Sequence, residues 1–121
     1  MLGRAYLRLV QLITGVLVAV LLGIHIVLLH LDAILAFFGA DVAEPTAWAS
    51  MIERATQGTF VGLYIALLAC GLYHAIYGLR NIILEVTPSV KTGRIVTWAL
   101  IVTGIVIFIW GTYVPVALSA S

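Results

Sequence analysis

A chain of 121 residues has room for one small domain, and with 64% hydrophobic and only 9% charged residues it cannot be an ordinary soluble one, where about a quarter of residues are charged. Its mean hydropathy of +1.21 is more apolar surface than so few polar groups can cover in water, whereas lipid accepts it. A net charge of +1 gives no basic face for nucleic acid, and the single cysteine, Cys70, excludes an internal disulfide.

Three apolar runs follow in chain order. Leu9 to Phe38, preceded by Arg4 and Arg8, is interrupted only by Gln11, Thr14, His25, His30, Asp32 and glycines. That run is too long for the core of a signal peptide. A loop from Gly39 to Gly58 carries Asp41, Glu44, Pro45, Glu53 and Arg54, and its Trp48, Met51 and Ile52 suit a short extension of the next helix along the membrane surface. Thr59 to Leu84 is the second run, with Pro88 just past it. Ile95 to Leu118 is the third, with Pro115 near its end, where helices stop readily. Each run reaches the roughly 20 residues needed to cross about 30 Å of hydrocarbon as a helix. The expected fold is therefore all-α, one transmembrane domain over residues 1–121, with helices at about 9–38, 56–86 and 93–118.

Charge sets the expected orientation. Arg4, Arg8, Arg80, Lys91 and Arg94 fall at one end of these spans, and only Arg54 at the other. By the positive-inside rule the N-terminus is cytoplasmic and the C-terminus outside, with Trp48, Trp110 and Tyr113 in an outer aromatic belt. The localisation implied is the inner, cytoplasmic membrane, multi-pass.

All three histidines, His25, His30 and His74, lie within spans, where ionisable groups are costly and usually functional. His74 stands in Gly71-Leu72-Tyr73-His74-Ala75-Ile76-Tyr77-Gly78-Leu79-Arg80. Gly71 and Gly78, three residues before and four after, share its helical face. One imidazole between two positions without side chains suits a flat macrocycle standing edge-on to the helix. Arg80, about 9 Å nearer the cytoplasm, can snorkel to a propionate or a phospholipid headgroup. The plainer reading makes the glycines helix-packing contacts and His74 a single interhelical hydrogen bond.

His25 lies about 25 Å beyond Arg8 along an outward-running helix, and His74 on an inward-running one. The two are therefore stacked at different depths. His30, about 140° around the helix from His25, cannot share its metal, and beside Asp32 at the outer boundary it also reads as an interfacial polar group. If His25 and His74 both bind haem iron, they bind different haems. Bis-histidine ligation of two haems takes four imidazoles, so a partner chain must supply the other two. There is no Cys/His pair at zinc spacing, no phosphate-binding glycine loop and no Ser/His/Asp set on one face.

At these residues the chain resembles a membrane-anchor subunit of succinate dehydrogenase or fumarate reductase, of the two-chain, di-haem cytochrome b type. Thr14-Gly15 followed by His25, and the Tyr73–Arg80 segment, are similar to the family's haem-ligand segments, in the same order and direction. The resemblance implies haem b, bound by His25 and His74 as axial ligands, one to each of two haems, with Gly71, Gly78 and Arg80 packing on the macrocycle and its propionates and His30 as a further cofactor-binding candidate. Arg8, Thr14 and Arg80 are candidate contacts at the cytoplasmic edge of a quinone pocket. The family usually has an arginine three residues before the first-helix glycine; here that position is Leu12, with Arg8 one turn earlier. The implied partners are a second membrane-anchor subunit, an iron–sulfur subunit and a flavoprotein subunit. This chain itself would carry out no dicarboxylate chemistry. Other readings are a haem-free structural anchor, a cytochrome b subunit of another respiratory complex, and a proton-relaying transporter. The last would want acidic groups deep in the spans, whereas Asp32 and Glu85 lie near span ends.

Overall fold

In the computed structural model, which describes residues 2–120, the chain is all-helical. Helix α1 is Leu2–Leu29 and α2 is Leu31–Phe37. Helix α3 is Trp48–Ala55, α4 is Gly58–Val86 and α5 is Val90–Ser119. Among the described residues, α1, α4 and α5 are the three helices long and apolar enough to cross a membrane.

The first apolar run is not one straight helix. At His30 (φ −112°, ψ 18°) the chain leaves helical geometry. Its backbone N–H is shared between the carbonyls of Ile26 and Val27, both at 3.2 Å. Helical pairing resumes at once, with Ile34 N–H bonding the His30 carbonyl at 3.1 Å. Gly39 then ends α2 with φ +82°. Its N–H bonds Ala36, and that of Ala40 bonds Leu35, both at 3.0 Å. This pair of bonds around a left-handed residue is a Schellman stop, and glycine adopts that conformation without a Cβ penalty.

The surface segment is a separate helix rather than an extension of the second span. Thr56 and Gln57 interrupt it before α4 begins. The Arg54 guanidinium donates to the Pro45 carbonyl and closes the loop on itself. Trp48 and Met51 stay exposed while Ala55 is buried.

Helix α5 runs through Pro115 to Ser119, within a residue of the expected end at about 118. A proline lacks the N–H that would bond four residues back, but in lipid a frayed end would leave several carbonyls unmet, so continuing the helix costs less. The Ser89 hydroxyl caps the other end, accepting from Thr92 N–H at 3.4 Å.

Helix α4 is central. It packs on α1 along one side and on α5 along the other, while α1 and α5 make no contact. The α4–α5 seam is built from three small residues. A Cβ on Gly93 would lie 2.9 Å from Leu84 Cδ2, one on Gly111 2.6 Å from Leu68 Cδ2, and one on Gly104 against Ile76 Cδ1. Spacings of eleven and seven put these glycines on one helix face, and a stripe without side chains admits the bulky residues of α4. Among the described residues almost no apolar side chain is enclosed: Ala55 and Val61 are the buried hydrophobic residues. Lipid or other chains must cover the rest.

Candidate functional site

Two features stand out in the spans, a histidine clasped in the α1–α4 seam and a cationic cleft between α1 and α5. The first begins with Gly15. A Cβ there would lie 3.0 Å from His74 Cε1 and 3.3 Å from its Nδ1, so α1 has no side chain where the imidazole of α4 must sit. The Gln11 backbone carbonyl lies 3.1 Å from His74 Nδ1. The Gln11 side chain returns the contact, its Nε2 donating to the His74 carbonyl at 3.1 Å. The two residues thus exchange hydrogen bonds across the seam.

A carbonyl oxygen only accepts, so the Nδ1 in contact with Gln11 carries the proton, and in the neutral imidazole the lone pair is then on Nε2. A backbone carbonyl holding Nδ1–H is the outer-shell arrangement that fixes a metal-ligating histidine in tautomer and orientation. His74 therefore fits the donor chemistry of an axial haem ligand through Nε2. Gln11 was not among the residues singled out from sequence, although a lone amide in an apolar run was signal enough.

The glycines around His74 divide. A Cβ on Gly78 would lie 3.2 Å from Gln11 Nε2, so Gly78 makes room for the clasp, while around Gly71 nothing lies within 4 Å. Thr14 is buried on the same seam, its hydroxyl donating to its own helix at Val10 (2.8 Å) and Gln11 (3.1 Å).

His25 lies at another level of the α1–α4 seam. Its ring meets Tyr64 edge-on, centroids 5.7 Å apart at 89°. Tyr64 precedes His74 by ten residues, about 15 Å along α4, which separates the two histidines in depth. His25 Nδ1 is enclosed and has no hydrogen-bond partner. An unmet buried donor or acceptor costs on the order of 1–3 kcal/mol. The single-chain space beside it is only about 10 Å³. His30 is exposed at the break between α1 and α2. Among the described residues, no three His, Cys, Asp or Glu side chains converge as a metal-ion site.

The second feature is a cleft of about 1150 Å³ with α4 as its floor and α1 and α5 as its walls. Arg4 and Arg8 of α1 and Arg80 and Glu85 of α4 line it. Arg80 Nε donates to Thr97 Oγ1 at 2.9 Å, and that hydroxyl donates to the Gly93 carbonyl at 2.8 Å. Tyr73 and Tyr77 stack nearly parallel, 5.7 Å apart at 5°, and the Tyr73 hydroxyl donates to the Leu7 carbonyl at 3.2 Å. Of the residues picked out from sequence, Arg8 and Arg80 meet in this cleft; His74 and Thr14 do not line it.

Comparison with known proteins agrees with the architecture. The chain is 29% identical over 105 residues to the succinate dehydrogenase hydrophobic membrane anchor subunit of Thermoplasma acidophilum, covering 87% of this chain and 79% of that protein. It is 28% identical, also over 105 residues, to the protein of the same name from Archaeoglobus fulgidus, covering 87% and 82%. The chain is thus a distant relative of these anchor subunits along most of its length. No protein-family profile and no solved structure matches it.

Proposed function

We propose that the chain is a haem b-carrying membrane-anchor subunit of a succinate dehydrogenase or fumarate reductase complex. The similarity to two anchor subunits supports the anchoring role. The observation that carries the haem reading is the clasp on His74, whose Nδ1 is held by the Gln11 carbonyl, which makes Nε2 of the neutral imidazole the ligand atom. His25, with an enclosed and unpartnered Nδ1 at a separate depth, is the ligand proposed for a second haem. One imidazole from this chain to each haem leaves the second axial positions to a partner anchor subunit.

When bound, such haems supply one-electron redox equivalents between the iron–sulfur clusters of a partner subunit and a membrane quinone. This chain's residues hold, orient and exclude. Gln11 fixes the imidazole plane of His74, Gly15 gives it room, and the apolar spans keep water from the site. Backbone hydrogen bonding at Nδ1 raises imidazole basicity, one of the levers on haem potential. In this reading the N-terminus and the arginine-rich end lie on the cytoplasmic side of the inner membrane, where the iron–sulfur and flavoprotein subunits dock. Thr14 donates its hydroxyl within α1, which leaves it no donor for a quinone.

The test is a dithionite-reduced minus oxidised spectrum of the complex purified in mild detergent. A b-type signal is expected, lost in part in His74→Ala and in part in His25→Ala. The seam geometry also suits a haem-free structural anchor, because the His74–Gln11 exchange and the Gly78 contact are themselves helix-packing interactions. That reading predicts no Soret band in the native complex, and such a result would overturn the haem assignment.

A further inference from the structure

We propose that the cleft between α1 and α5 binds one anionic phospholipid, its phosphate held by Arg4, Arg8 and Arg80 and its acyl chains laid along the α4–α5 wall. This assignment is independent of the haem reading.

The cleft has the polarity of an amphiphile. Its arginines lie at one end, at the start of α1 and near the close of α4. From there the lining turns apolar through Leu72, Ile76, Leu100 and Ile105. It ends near Ala69 and Phe108. Ala69 is eleven residues from Arg80 and Phe108 eleven from Thr97, each about 16 Å. A docking segment of a soluble protein cannot occupy that depth, whereas an acyl chain does so by nature.

Charge selects among amphiphiles. Three guanidinium groups and one carboxylate, Glu85, line the cleft, a balance of 3 − 1 = +2. A quinone is neutral, and its carbonyls would leave that charge uncompensated beside hydrocarbon, where unpaired charge is costly. Haem carries anionic propionates, but its iron needs a protein ligand and the cleft lining contains no histidine, cysteine or methionine; of its tyrosines, Tyr73 gives its hydroxyl to the Leu7 carbonyl and stacks on Tyr77. A phosphodiester both neutralises the arginines and accepts their forked hydrogen bonds. Arg80 is already oriented for this, because Thr97 holds its Nε and is itself held by the Gly93 carbonyl.

The test uses the full chain with its co-purifying subunits, exchanged into vesicles of phosphatidylglycerol and phosphatidylcholine in equal parts, re-extracted and examined by native mass spectrometry. One phosphatidylglycerol per chain is expected to remain where phosphatidylcholine washes away. Removing one arginine–phosphate contact in Arg8→Gln should lower that retention about tenfold, and Arg8→Lys should lower it less. Arg94→Gln, at the same end of the molecule but outside the cleft, should leave retention unchanged. Equal retention of the two lipids would overturn the proposal, as would equal losses in Arg94→Gln and Arg8→Gln, the mark of diffuse surface attraction. One-for-one displacement of the lipid by a short-chain quinone would reassign the cleft as a quinone pocket. Because Arg8 is exposed, its variants report on binding rather than folding, and retained subunit stoichiometry checks this.

Discussion

Gln11 reaches across the seam to α4 with both its backbone and its side chain, and the two bonds respond differently to substitution. The amide Nε2 meets the His74 carbonyl, but Oε1 is buried with no partner. Leucine at position 11 removes one interhelical bond worth about 1 kcal/mol net together with the unmet oxygen. Gln11→Leu should therefore change thermal stability little. Gln11→Glu has a similar shape but loses the donor and puts an acidic group in the seam, so it should be the more destabilising of the two. Melting curves of both variants in one detergent check the order. At Gly15 the constraint is steric. Its added Cβ would lie 3.0 Å from the imidazole, so Gly15→Ala should displace His74 and, on the haem reading, lower the b-type absorbance in the direction of His74→Ala while the chain still inserts. The importance of His74 was legible as an ionisable group in an apolar run. Its actual neighbours were not, because they come from a helix some sixty residues away in sequence. Gly71 and Gly78 looked equivalent on a helical wheel, yet Gly78 faces Gln11 and Gly71 faces nothing within 4 Å.

At the scale of elements, the seam between α4 and α5 depends on small residues opposing large ones. Gly104 meets Ile76, Gly111 meets Leu68 and Gly93 meets Leu84. Gly104→Leu adds a branched side chain where the isoleucine already sits. Overpacking of this kind typically costs about 1–3 kcal/mol. Ile76→Ala in the same chain should recover part of the loss, because it vacates the volume in dispute. A double-mutant cycle on thermal or denaturant stability measures that coupling, and additive effects would mean the two residues do not share the space. In the third span the glycine spacing of eleven and seven carries the packing face. The surface helix was expected as an extension of the second span and is instead separated from it by Thr56 and Gln57. Propensity favours helix on both sides of that gap, and the Arg54–Pro45 contact helps to fold the loop back.

For the whole molecule, the arrangement brings Arg4, Arg8 and Arg80 to one cleft, so charges that are distant in sequence share one end of the bundle. If that end is cytoplasmic, a cysteine at Ala43 should react with a membrane-impermeant maleimide added outside intact cells. A cysteine at Ser89 should not, each in a Cys70→Ala background; the reverse pattern would invert the topology. The sequence by itself determined that the chain is a three-span membrane protein with its histidines inside the apolar runs at different depths. Length and hydropathy act locally, through the requirement that every backbone group in lipid be satisfied within its own helix. Only the tertiary structure decided that α4 is central, that α1 and α5 stand apart with a cleft between them, and that His74 rests on Gly15 under the Gln11 carbonyl. Those relations depend on how the faces of separate helices interlock. A span that is apolar all round gives no periodic signal to say which face is which.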